Sequence, residues 1–190
     1  LAPINTLGLK GNLVPTLTGS KLRSHIARWD GQWNAHVFTA IEYQNQKSGF
    51  MLYDTPDGGE SVFIRGGKID RIAVDANVWL GGNWAVAAGY TRTKSTRSDR
   101  AGQRPIPFVP KQTAKLDLVW THPKRVSIKL SGNYIGEQED SILLPIEPHF
   151  IGDIKGIWEP LDKRVALEFG VLNVFDNDHQ TTIGFPAPGR

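Results

Sequence analysis

The chain has no cysteine, which excludes a disulfide framework and any thiolate zinc site. It has no apolar run near the ~20 residues that a membrane helix needs. With 39% hydrophobic residues, a helical membrane protein is excluded as well. Charge of either sign is in little excess, and +3 over 190 residues carries no weight as a nucleic-acid signal. Nucleophile elbow, HExxH pair, phosphate loop and dinucleotide fingerprint are all missing. Ser127 and Ser131 have no histidine on a neighbouring register to serve as a base. His25, His36, His122, His149 and His179 have no spacing that builds a metal site on a strand or helix. Asp54 to Glu60 is acidic without the ligand periodicity of a calcium loop, and Glu137, Glu139 and Asp140 read as a solvated loop tip. The sequence therefore predicts no enzyme, no cofactor and no metal centre.

What is present is alternation with a period of two. Ile72, Val74, Ala76, Val78 and Leu80 alternate with Arg71, Asp75 and Asn77. The pattern returns in Trp84 to Tyr90, Ala114 to Trp120, Val126 to Tyr134, Gly152 to Trp158 and Val165 to Val171. Each such segment reads as a strand with one apolar face. Trp33 to Tyr43 gives a further strand, entered through Asp30-Gly31 as a two-residue hairpin. Lys21 to Trp29 alternates weakly and makes a poor strand candidate, and residues 1–20 form a poorly defined N-terminal segment.

Connections alternate in length. Those at 30–31, 81–83, 122–124 and 160–163 are short, and those at 44–68, 95–111, 138–149 and 176–190 are long. Trp29, Trp33, Trp79, Trp84, Trp120 and Trp158 lie within a few residues of the short turns, and Tyr43, Tyr90 and Tyr134 lie at the far strand ends. A soluble lipocalin-like barrel would give the same period with its apolar face inward. Loop asymmetry and two aromatic belts favour the inverse, a transmembrane barrel whose apolar face meets lipid. The predicted fold is all-β: an antiparallel transmembrane β-barrel segment of about eight strands, with short periplasmic turns and long extracellular loops.

Three motifs carry a resemblance. Gly170 to Asp176 reads GVLNVFD, Gly184 to Arg190 reads GFPAPGR, and Pro105 to Lys111 reads PIPFVPK. In this order and spacing they resemble the end of the TonB-dependent outer-membrane receptors, with Val174 where that family usually has Leu. The likeness is good from about Ile69 onward and vague before it. It implies that residues 21–190 are the C-terminal portion of a twenty-two-stranded outer-membrane barrel, without plug domain, TonB box or final strand. The first residue is Leu and no signal peptide precedes it, so the chain reads as an internal fragment or a mature piece. The resemblance further implies a bacterial outer-membrane location and energised uptake of a scarce substrate such as a siderophore, cobalamin or a glycan. The implied partners are that substrate, outer-membrane lipids and lipopolysaccharide, and a plug and TonB reached through an N-terminal region, but no nucleic acid. The alternative is a self-contained eight-stranded outer-membrane barrel with a structural or adhesive role.

The strands' polar face carries Arg71, Asp75, Lys115, Asp117, Lys129, Asp153, Lys155, Arg164 and Glu168. In a membrane barrel these face the lumen, and opposite charges on neighbouring strands pair across the ladder. Arg92 to Lys111 is the most basic stretch, with Arg97, Arg100 and Arg104 as candidate anion-ligand residues, because guanidinium forks bind carboxylate and phosphate bidentately. Arg92 and Lys94, nearer the strand, suit lipid phosphates.

Overall fold

The computed structural model describes residues 21–53, 62–99, 102–139, 144–160, 165–177, 180–182 and 185–186. Their main element is one antiparallel meander. It runs through β1 (Leu22–Gln32), β2 (Val37–Tyr53), β3 (Val62–Gly81), β4 (Trp84–Asp99), β6 (Gln112–His122), β7 (Val126–Ile135), β10 (His149–Trp158) and β11 (Leu167–Val171), each strand pairing with the next. Between β4 and β6 a short β5 (Gly102–Arg104) folds back on the end of β4. Two small hairpins lie outside the sheet, β8 (Gln138–Glu139) with β9 (Pro145–Ile146), and β12 (Gln180–Thr182) with β13 (Phe185–Pro186). The eight-strand path is the number the alternation predicts. The GFPAPGR motif lies outside the described residues apart from Phe185 and Pro186, and Arg164 lies outside them as well.

Local chemistry explains the tight turns. Gly82 and Asn83 take φ values of 55° and 70° between β3 and β4, the left-handed pair that a two-residue hairpin requires. Between β6 and β7 the Arg125 N–H donates to His122 O at 2.9 Å, with φ 62° at Arg125. The β1–β2 turn is not at Asp30-Gly31. Those two residues pair inside the ladder with Ala40 and Thr39, and the turn is Trp33–His36. Asn34 Oδ1 accepts from the N–H groups of His36 (2.7 Å) and Val37 (2.9 Å), so its side chain supplies the turn's acceptor. Lys21–Trp29, weak as a strand in sequence, is largely β1 and pairs along its whole length with β2.

Two expected long loops are shorter than their composition suggests. The 44–68 stretch is strand as far as Tyr53 and again from Val62, and β4 continues through Ser95 to Asp99. Alternation fades there because residues 44–49, 65–68 and 95–99 are polar or glycine on both faces, while 50–53 and 62–64 read as unbroken apolar runs.

The register sorts every strand into two faces. Glu42, Ala73 and Thr91 share one, with Asp75, Gly89, Lys115, Asn133, Asp153 and Ser131. A single cavity of about 1080 Å³ is lined from Arg28 on β1 through Asp75, Lys115 and Asp117 to Asp153 on β10. The sheet therefore curls, and this polar face is concave. Amphipathicity is inverted relative to a water-soluble domain: Glu42 and Arg71 are each 2% exposed on the concave side, while Ile72 is 52% and Leu116 56% exposed on the convex side.

Aromatic side chains band the convex face. Trp84 pairs with Trp120 near the short turns, with ring centroids 6.1 Å apart. Tyr90 and Tyr134 both lie opposite Ala114, and Phe150 lies opposite Tyr134. Six residue steps from Trp84 to Tyr90 span ~20 Å of strand, comparable to the ~25 Å apolar band of outer-membrane barrels. Trp79 departs from the belt, because its partner Ala85 puts it on the concave row. Tyr43 and Tyr90 sit mid-strand, with β2 and β4 continuing beyond them.

Candidate functional site

The concave face gathers the predicted polar residues that lie among the described ones. Arg71 on β3 reaches across to Glu42 on β2, Nη2 to Oε1, at 2.5 Å. Arg28 on β1 lies 3.5 Å from the other oxygen of Glu42 and 2.7 Å from Asp30. A second cluster centres on Asp117, whose Oδ2 is 3.1 Å from both Lys115 and Lys129. Opposite charges thus pair across the ladder, as the alternation predicts. Asp153 does something else: its Oδ1 accepts the backbone N–H of Asn173 at 3.0 Å, tying the exit of β11 to β10. Asp75 leans over Gly89, where an added Cβ would meet its Oδ1 at 2.8 Å. Lys155 and Glu168 share the concave face by register, opposite Lys129 and Ile157.

Arg28, Glu42, Gln44 and Gln46 belong to the same face without having been singled out from the sequence. The signal was there in β2, where Glu42, Gln44 and Gln46 are polar at every second position. Several groups on this face are buried without a partner among the described residues: both amide atoms of Gln44, Arg71 Nε and Asp117 Oδ1. A buried donor or acceptor left unpaired costs about 1–3 kcal/mol.

At the end bearing the long connections the concave face meets the basic stretch. Arg97 lies within β4, opposite Gly67 and Arg104, and is buried with its Nε unpartnered. Sequence reading put it on a loop, whereas the structure puts it in the wall. Arg104 is half-buried on β5 and makes contacts of its own, and Arg100 lies outside the described residues.

The PIPFVPK loop is fastened beside them. Its three prolines have no N–H. Of its other amides, Ile106 donates to Ser95 Oγ (3.2 Å), Phe108 to Glu139 O (2.7 Å) and Lys111 to Glu137 O (3.0 Å). Ile106 and Pro107 are buried, so the loop is a packed closure for this end of the sheet.

The GVLNVFD motif has an equally local cause. Asn173 takes a left-handed φ of 49° and is buried. Its amide donates to Asn177 O (3.1 Å) and accepts from Asn177 N–H (3.2 Å). Val174 N–H donates to Gly152 O at 2.7 Å. The Phe175 ring then covers Gly152, where a Cβ would stand 2.5 Å from it. Phe169 lies over Gly156 and Phe150 over Gly132 in the same way, so three rings cover three strand glycines on the convex side.

No family model matches the chain, and no curated protein matches it. Solved structures do. The copper transporter OprC matches with a TM-score of 0.71 at 16% identity over 90% of this chain and 31% of its own. The FrpB iron transporter from Neisseria meningitidis, F5-1 variant in its apoprotein form, matches at 0.69 and 16% identity over 95% and 32%. The ferric-catecholate import receptor Fiu from Escherichia coli K12 matches at 0.62 and 16% identity over 86% and 24%. The chain thus spans about a quarter to a third of the length of these structures. They are receptors and transporters, and at this identity the likeness is one of fold. The chain has the fold of the barrel wall of TonB-dependent outer-membrane receptors, the family that its three motifs resemble.

Proposed function

We propose that the chain is part of the wall of a plugged outer-membrane receptor, which takes up a metal chelate at the expense of energy delivered through TonB. The observation that carries this reading is the inverted amphipathicity of the curled sheet, with Glu42 and Arg71 buried on the concave side and Ile72 and Leu116 exposed on the convex side. A convex apolar face belongs against lipid. The concave face, lined by Arg28, Asp75, Lys115 and Asp153, suits the polar surface of a plug. Edge backbone groups cannot be left unpaired in hydrocarbon. Among the described residues β1 and β11 share no contact, so both edges call for further strands, as in the larger barrels.

The substrate class follows from charge and from the neighbours. OprC is named for copper, FrpB for iron and Fiu for a ferric catecholate. Arg97 and Arg104, opposite each other at the end with long connections, fit an anionic chelate, because adjacent guanidiniums favour a shared anion. The test is uptake of labelled ferric catecholate and of labelled copper by cells expressing the full-length receptor, with TonB present or deleted. Uptake of one label only when TonB is present is the expected result. Equal uptake in both strains contradicts energised transport. Replacing Arg97 and Arg104 together by Gln should weaken chelate binding on the order of tenfold.

A further inference from the structure

The backbone of Phe108 is out of character for its side chain. Its φ is 57°, a left-handed value that a bulky residue adopts only under strain. Among the other described residues with such values, Gly66, Gly81, Gly82 and Gly102 take them freely, and Asn83, Asn173 and Asp176 are of types that tolerate them. Arg125, the remaining case, closes the β6–β7 hairpin. Phe108 closes no hairpin. It stands in the middle of the PIPFVPK loop, between Pro107 and Val109.

That loop leaves β5 at Arg104 and enters β6 at Gln112. On one side it is anchored to β4, where the Ile106 N–H donates to Ser95 Oγ. Ser95 pairs with Ile69, two residues beyond the Arg71–Thr93 pair on the same concave row. On the other side it is anchored just past β7, where Phe108 N–H donates to Glu139 O and Lys111 N–H to Glu137 O. The Lys111 ammonium also lies 2.9 Å from the Glu137 carboxylate. β4 and β7 flank β6, so the loop bridges two strand spacings, ~10 Å, from an anchor on the concave side. Ile69, Ile106 and Pro107 are buried, whereas Phe108 keeps part of its surface exposed. The loop begins beside Arg97 and Arg104, which lie opposite each other on β4 and β5.

From this combination we infer that Phe108 is a specificity-determining residue. Its ring is a steric stop on a fixed ledge, and it sets the size of the chelate that reaches Arg97 and Arg104. Three prolines and three anchored amides leave the ledge little freedom, so the stop does not swing like a flap. The strain at Phe108 is the cost of holding a ring where glycine would sit at ease. The inference deepens the proposed function and rests on it for the identity of the cargo.

The test uses the full-length receptor with Phe108→Gly and Phe108→Asn. Both replacements accept a left-handed φ and remove the ring, so neither should lower the unfolding midpoint. One readout needs no substrate. Arg97→Cys, in a receptor without other cysteines, is labelled from outside the cell with N-ethylmaleimide and with a maleimide carrying a bulky dye. The bulky reagent should lag while Phe108 is present, and its relative rate should rise on the order of tenfold in either variant. The other readout is TonB-dependent uptake of ferric 2,3-dihydroxybenzoate against the larger ferric complex of a cyclic tris-catecholate. The ratio of the two rates should shift toward the larger chelate by a similar factor. Labelling and uptake ratios that stay at the parent's values overturn the role of Phe108. A lowered midpoint in both variants marks the ring as packing and overturns it as well. A parent receptor that takes up neither chelate through TonB contradicts the proposed function, and the labelling ratio then still decides whether Phe108 is a steric stop.

Discussion

At the residue scale, the buried Glu42–Arg71 pair sets the chemistry of the concave face. Both side chains are almost fully buried, so removing Arg71 leaves Glu42 buried with only the longer contact to Arg28, 3.5 Å away, for a counter-charge. Arg71→Met should cost about 3–5 kcal/mol in unfolding measurements. Arg71→Met combined with Glu42→Met should recover much of that loss, since an apolar pair of similar volume has no unpaired charge. Equal destabilisation by the single and double variants contradicts the pairing. The partners are 29 residues apart in sequence, and no local pattern joins them. Arg71 was legible as a polar-face residue because β3 alternates cleanly there. Its partner was not, since a glutamate within an alternating strand reads only as polar.

Glycines test packing at the same scale. At Gly136 a Cβ would meet the backbone oxygen of Gln112 at 2.8 Å, and the Gly136 N–H donates to that same oxygen. At Gly156 it would meet only the far edge of the exposed Phe169 ring. Gly136→Ala should therefore destabilise the barrel by about 1–3 kcal/mol and Gly156→Ala by less. Urea titration of the folded receptor in detergent would rank them, and the reverse order contradicts the geometry.

At the element scale, the strands divide by how much of each lies in the apolar band. β6, β7 and β10 are ten or eleven residues long and alternate over most of that length, so their positions were readable. β2, β3 and β4 are 16–20 residues long and run on past the tyrosine row. There the convex positions are Asn45, Lys47, Lys68, Asp70, Arg92 and Lys94. With lipid no longer selecting an apolar face, the period vanishes and the segment looks like loop. The first hairpin misled for a different reason. Asp30-Gly31 is a strong turn signal in isolation, but Asn34 offers two acceptor bonds at the next polar site. Asn34→Ala should cost about 1–2 kcal/mol, while Asp30→Asn should leave the turn intact. A turn that moves with Asp30 in amide-exchange measurements contradicts the assigned register.

At the scale of the whole molecule, the central claim is that the sheet is turned inside out relative to a soluble barrel. The aromatic belts and the loop asymmetry indicated that inversion in sequence. The curvature that makes the polar face concave was not legible, because period two assigns faces without saying which way the sheet bends. The most direct test places a spin label at Leu116 or at Lys115, adjacent residues on opposite faces of β6, in the full-length receptor in a bilayer. The label at position 116 should be relaxed strongly by lipid-soluble oxygen and weakly by a water-soluble nickel chelate, and the label at position 115 should show much weaker oxygen relaxation. Equal oxygen accessibility at the two positions, or the reversed order, contradicts the arrangement.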